Sequence, residues 1–447
     1  MLEKRIYSRY FFYALIMVAF TSLTILVFID ISFIKINKIA YMPFEKSFLS
    51  QFFVILSAGA VACVFTILYI IKKLVTENSR ITDKLLLISG KTSFIVYLII
   101  FTLLAILDYM IIAQREYYYG LAVIMTYISY FFGLAFCGLT IIKFLKWYQQ
   151  NREFRILGYL ITTSALFALL VFSISYFSVN PSDLTLKIKP AGIGAAIVMR
   201  AIVLNVFQTW FTISYILCII SISVISFFVL RDYIKMNPIV YFALFSLPVL
   251  YVLFKFIPPA MSLVITMIMK DPIFYGTLYT LFFSGTGPLT GFLFFLPMWF
   301  FAAKLRNPEI KRFIWLTSFG MLLFFTANQQ PPLQNKLFPP FGLLSASITG
   351  LSVYLIFLGI TSTAKYLSNV SAYRELISKK LREDKIFRSI ARSSFEKELR
   401  PIVTGILEKN LFPVENRNDI PTNELNLYIS EVKKVLQEKN IRHAEDK

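Results

Sequence analysis

The chain of 447 residues is 57% hydrophobic and only 16% charged, with a mean hydropathy of +0.68, which excludes a single water-soluble core. The formal charge of +20 raises nucleic acid as a partner, but residues 1–364 hold 28 Lys/Arg against 12 Asp/Glu and residues 365–447 hold 17 against 13. The excess therefore lies in short segments between apolar runs, where positive charge orients membrane spans, and no nucleic-acid partner is expected.

Runs of about 18 or more apolar residues read as spans, since about 20 residues of helix cross the hydrocarbon. Alternation with period two is absent, so the spans are helices and not barrel strands. The predicted fold class is all-α, a polytopic bundle of about ten transmembrane helices with a short helical tail. The first apolar run follows Lys4, Arg5 and Arg9, is too long for a signal-peptide core and lacks a small-x-small exit, so no cleavable leader is expected.

Span one covers Tyr10–Phe28, and a loop holding Asp30, Lys35, Lys38 and Glu45 leads to span two, Phe52–Ile71. A basic connector, Lys72–Lys91, precedes span three, Ser93–Ile112; Arg115 and Glu116 lie in the turn before span four, Tyr119–Ile142. Span five is Ile156–Phe177, and Ser178–Arg200 reads as the longest outer loop. Span six, Ala201–Leu230, is long enough to tilt. Span seven is Ile239–Ile257, followed by an interfacial segment at Met261–Met269, and span eight is Phe274–Ala303.

A last hairpin joins span nine (Phe313–Ala327) through a proline-rich turn (Asn328–Gly342) to span ten (Leu343–Thr361). With ten spans, the N-terminus and inner loops carry 18 Lys/Arg and the outer face ten, which places both termini in the cytoplasm of a cell-membrane protein. Residues 1–364 form the transmembrane domain and 365–447 a cytoplasmic helical tail. In that tail Ser393 and Glu396 make a capping box, and Leu425, Ile429, Val432 and Leu436 share one helical face. Such short amphipathic helices cannot make a core of their own: they are expected to pack on the inner loops, to pair with another protein or a second copy, or to fray.

Few residues carry chemistry. Cys63, Cys137 and Cys218 lie in apolar runs, His443 is the lone histidine, and neither a metal site nor a cofactor site is expected. No nucleophile stands beside a base and no span pairs carboxylates, so the expectation is a protein without enzymatic activity. Asp108 reads as the one acidic residue well inside a span, and an intramembrane carboxylate suggests ion or proton coupling; pairing with nearby Arg115 is the plainer alternative.

In span eight, Ser284, Gly285, Thr286, Gly287, Pro288, Thr290 and Gly291 form a Gly/Pro-interrupted stretch. It reads either as an unwound ligand or ion site or, more simply, as a kink with a close-packing Gly-x-x-x-Gly. A five-plus-five division of the spans would bring this stretch and Asp108 together. Asn328, Gln329 and Gln330 would present amides on the outer turn. In span ten, Ser345, Ala346, Ser347, Thr349, Gly350 and Ser352 give a small-residue face for a neighbouring helix.

The residues Ala327-Asn328-Gln329, Pro339-Pro340-Phe341-Gly342, Gly350-Leu351, Tyr354-Leu355, Gly359-Ile360 and Arg374 lie within a stretch of about seventy residues. In these the chain resembles an archaeal group of multipass membrane proteins with a Pro-Pro-Phe-Gly turn before the last span and a charged cytoplasmic helix after it. The resemblance implies a sensing module without an attached kinase. Together these readings favour a non-enzymatic sensor or signal relay. A secondary transporter for a small solute or ion and a structural subunit of a membrane complex are the alternatives.

Overall fold

A segment in hydrocarbon has no water to bond its backbone, so it must satisfy its own N–H and C=O groups, which the α-helix does. The computed structural model describes residues 2–39, 46–77, 84–150, 152, 154–179, 193–233, 246, 249–250, 272–305, 308–328 and 339–369. All regular structure among the described residues is helical. In chain order the helices are α1 (Leu2–Ile39), α2 (Lys46–Glu77), α3 (Lys84–Gln114), α4 (Tyr119–Gln150), α5 (Phe154–Val179), α6 (Ile193–Tyr233), α7 (Pro272–Lys304), α8 (Pro308–Ala327) and α9 (Leu343–Asn369). Among the described residues these nine are long and apolar enough to cross a bilayer, and the chain is a multi-pass helical membrane protein.

Every expected span but the seventh falls inside one of these helices. Most of Ile239–Ile257, and all of Met261–Met269, lie outside the described residues. Three boundaries need correction, the first being the expected connector Lys72–Lys91, which is helical up to Glu77 and again from Lys84. The expected first loop is helical up to Ile39, so Asp30 belongs to α1; its apolar neighbours Ile31 and Phe33 extend the span. The expected outer loop Ser178–Arg200 ends earlier, because α6 already begins at Ile193. The chain divides into two compact units, Met1–Asn369 and Val370–Lys447, and the second, which holds the tail motifs and His443, lies outside the described residues.

Paired residues fix the helix directions. Gly158 meets Ile225 and Phe172 stacks on Trp210, so α5 and α6 are antiparallel. Ser129 meets Gly350, Phe136 meets Phe357 and Lys143 meets Thr361, so α4 and α9 are parallel. Trp299 stacks on Trp315 and Phe295 packs on Phe319, so α7 and α8 are antiparallel. Phe144 stacks on Tyr159 and Cys137 meets Thr163, so α4 and α5 are antiparallel too. Gly320 meets Ser352 and Gly359 meets Phe313, so α8 and α9 are antiparallel as well, and α6 and α7 run the same way.

Helix α9 is the axis. Of its spanning window 94% is buried, against 33% for α3, whose Ile95, Leu98 and Ile99 are exposed as a lipid-facing helix requires. Helices α1, α3, α4 and α8 all pack on α9, with α8 the most extensive neighbour. Small residues allow this closeness. A Cβ built on Gly320 of α8 would lie 2.8 Å from the Ser352 carbonyl oxygen, and one on Gly359 would lie 2.5 Å from that of Phe313. On the other side Gly350 abuts the Ser129 carbonyl of α4. Without a hydrophobic driving force between helices in lipid, this close packing carries the association.

Gly320→Ala is therefore expected to destabilise the bundle by about 1–3 kcal/mol, the usual cost of overpacking. Gly138→Ala, whose Cβ would meet only Phe167 at 3.9 Å, should be near neutral. Thermal unfolding of the detergent-solubilised protein compares the two.

Candidate functional site

Polar groups of α1, α3 and α4 converge on α9. Its N-terminus follows Pro339-Pro340-Phe341-Gly342, in which Gly342 takes φ 93°, a left-handed value suited to glycine. Gly342 accepts the first helical bond, from the Ala346 amide at 3.0 Å, but has no side chain to cap the free amides that follow. Asp30 of α1 supplies the cap. Its Oδ1 accepts from the Gly342 amide at 2.8 Å, and its Oδ2 accepts from the Ser345 amide at 3.0 Å and the Ser345 hydroxyl at 2.8 Å. Asp30 is fully buried, and the partial positive charge of a helix N-terminus complements its carboxylate. Phe341, packed on Phe33 and Phe53, seals the turn against α1 and α2.

One to two turns into α9, the Ser129 hydroxyl donates to the Ser347 carbonyl at 2.9 Å and accepts from the Gly350 amide at 3.0 Å. The Tyr97 hydroxyl of α3 donates to the same carbonyl at 3.3 Å. At the far end Lys143 donates to the Thr361 hydroxyl at 3.1 Å while lying over the Phe357 ring, 5.0 Å from its centroid. Lys143 thus anchors α9 and does not merely close the fourth span. The small-residue face expected of the last span lies within this buried helix, all six of its residues being buried.

The predicted site residues fall at separate places. Asn328 does not face outward: it is 1% exposed, and its Oδ1 accepts from the Tyr130 hydroxyl at 3.1 Å and the Ser173 hydroxyl at 3.3 Å. It ties the end of α8 to α4 and α5, while its buried Nδ2 has no hydrogen-bond partner. Gln329 and Gln330 lie outside the described residues. Asp108 is not the one carboxylate inside a span, because Asp30 is another and is the more deeply buried. The Ser57 hydroxyl of α2 donates to Asp108 Oδ2, and the buried Oδ1 has no partner. Arg115 is exposed and takes positive φ at the turn.

The Gly/Pro stretch is a continuous part of α7, with Pro288 and Pro297 inside the helix, and it is not unwound. Ser284, Gly285 and Gly287 lie along it, and Thr286 and Thr290 are buried. The Thr290 hydroxyl donates back to the Thr286 carbonyl at 2.8 Å and lies 3.4 Å from the Tyr215 hydroxyl of α6. A Cβ on Gly291 would sit 2.8 Å from Cα of Leu322, so the stretch serves close packing of α7 on α8. The structure does not join it to Asp108, which lies between α2 and α3.

No group of three or more His, Cys, Asp or Glu side chains arranged to hold a metal ion occurs among the described residues. No protein-family profile, curated protein or solved structure matches the chain. The geometry alone therefore defines the class: a helical membrane bundle built round one buried, polar-anchored helix.

Asp30→Ala leaves the Gly342 and Ser345 amides uncapped in a buried site. The expected loss is about 2 kcal/mol or more, combining a lost helix cap with stranded donors. Asp30→Asn keeps one acceptor and should lose less. Chemical or thermal unfolding of the solubilised protein gives the order.

Proposed function

We propose that the protein is a non-enzymatic membrane relay, in which α9 passes changes in the bundle to the chain beyond Asn369. The observation supporting this reading is that α9 is buried against α1, α3, α4 and α8 and held by polar contacts at three depths. A shift of any of these neighbours changes a contact on α9, which continues as helix to Asn369, past its spanning window. In this reading residues 365–447 form a cytoplasmic helical tail that docks on another protein or on a second copy. In this reading both termini lie on the cytoplasmic side of the cell membrane, the face that the charge bias favours.

Transport of a small ion is the second reading, favoured by the unpartnered Asp108 Oδ1 beside Ser57. The continuity of α7 removes its other support. Flux into reconstituted vesicles that Asp108→Asn abolishes would promote it over the relay.

Two measurements test the relay. Cysteines placed at Lys4 and Lys365, after replacement of Cys63, Cys137 and Cys218, should both react only with reagent on the cytoplasmic side; labelling from opposite faces overturns the topology. Spin labels at Lys146 and Lys365 should report a changed distance distribution when Asp30→Asn is introduced at the far end of α9. Thr102→Ala, on the exposed face of α3, should leave it unchanged. A distribution indifferent to Asp30→Asn counts against the relay.

A further inference from the structure

The serine hydroxyl beside Asp108 has one hydrogen and two acceptors within reach. Ser57 Oγ meets Asp108 Oδ2, and it also lies 2.9 Å from the Val54 carbonyl of its own helix. A hydroxyl donates once and accepts on its lone pairs, so its hydrogen serves only one of these contacts well. Donation to Oδ2 belongs to the ionised acid, and it leaves the buried Oδ1 sharing the charge with no donor to meet it. With a proton on Oδ2 the order reverses: the acid donates to Ser57 Oγ, and the serine hydrogen turns to Val54. Each hydrogen then has an acceptor. The one atom left over is a neutral carbonyl oxygen, which is far less costly to bury unmet than a charged one.

The surroundings favour the neutral acid. Ser57 is fully buried, and residues 53–61 of α2, at this depth, hold no titratable group. On α3 the neighbours are Tyr109 and, past the helix end at Gln114, the exposed Arg115 and Glu116. The start of α4 carries Tyr119 and Tyr127, with Tyr117 in the turn before it. Residues 343–350 of α9 have no ionisable side chain, and the acid at that end, Asp30, is engaged by α9 itself. Among the described residues no cation bonds Asp108. Asp30 is the contrast, since its two oxygens accept from three donors, the acceptor-only pattern of an ionised carboxyl. A metal cation takes about six oxygen ligands, whereas here one carboxyl faces one hydroxyl, and a proton needs no more.

We propose that Asp108 and Ser57 form a proton-binding site, filled when Oδ2–H donates to Ser57 Oγ and empty when Ser57 turns to donate to Oδ2. Asp108 is half-buried and lies less than two turns from the end of α3, close enough to water to exchange its proton. The proposal rests on the same carboxyl as the transport reading and names its ion; a proton that is bound and never carried across leaves it standing.

The test is infrared difference spectroscopy of the full-length protein in lipid vesicles as pH is stepped from mildly acidic to alkaline. A protonated carboxyl gives a C=O stretch that an ionised one lacks, and with Oδ1 accepting no hydrogen bond it should fall at the high-frequency end of its range. The band is expected at about pH 6, where a solvated aspartic acid has lost its proton, and should vanish at alkaline pH. Asp108→Asn should lack it at every pH, yet fold, because its Nδ2 can donate to Ser57 as the acid does. Ser57→Ala should shift the band by removing the acceptor of the acid's proton. Asp30→Asn should keep it, and added sodium or potassium chloride should not remove it. No band at about pH 6, a band that survives Asp108→Asn, or one lost with Asp30→Asn or with added salt overturns the proposal. Vesicle flux separates the two readings: a band without Asp108-dependent flux leaves the proton site and removes transport, and such flux without a band does the reverse.

Discussion

A helix that begins away from water exposes amide hydrogens that lipid cannot bond, and the packing of this bundle rests on how those amides are met. At α9 they are met by a side chain of α1. Gly342 makes the turn possible but offers no cap, and Asp30 fills the gap with both of its oxygens. The carboxylate and the amides solve each other's problem, since each would be costly to bury alone. Remove the contact and the top of the central helix loses its fixed position, along with the Phe341 cluster that closes over it.

From that fixed point the rest of the core follows. Glycines on α8 and α9 bring backbones together where leucines would hold them apart, and serines and threonines return their hydroxyls to carbonyls one turn back. Most polar residues that line the buried helix therefore keep their donors paired, although the Ser362 hydroxyl meets no partner. Aromatic pairs such as Phe20 on Phe319 and Trp299 on Trp315 fill the space round the glycine contacts. The outer helices need only present aliphatic side chains to lipid, as α3 does.

Much of this architecture was legible in the residues alone. Long apolar runs between basic segments marked nine of the described helices, and the small residues of the last span announced a tight neighbour. The sites were less legible, for a physical reason. Whether a carboxylate lies in a loop or in a span depends on a distant partner, and no local pattern showed that Asp30 would meet residues 342 and 345. The continuation Ile31-Ser32-Phe33 was the available signal, since it keeps the run apolar beyond Asp30. Asn328 misled in the opposite direction: beside two glutamines and two prolines it looks like a surface turn, yet Tyr130 and Ser173 draw it inward. Proline and glycine in α7 allowed either an unwound site or close packing, and Leu322 decides between them.

The cap on α9 also bears on how the protein is made. Asp30 and its partner amides are separated by 312 and 315 positions, so the acid leaves the ribosome long before the turn that receives it. Until that turn has been made, the Asp30 carboxylate has neither the Gly342 nor the Ser345 amide to accept from. The contact between the first and the last of the described helices therefore forms only after residues 342 and 345 have been made, late in translation.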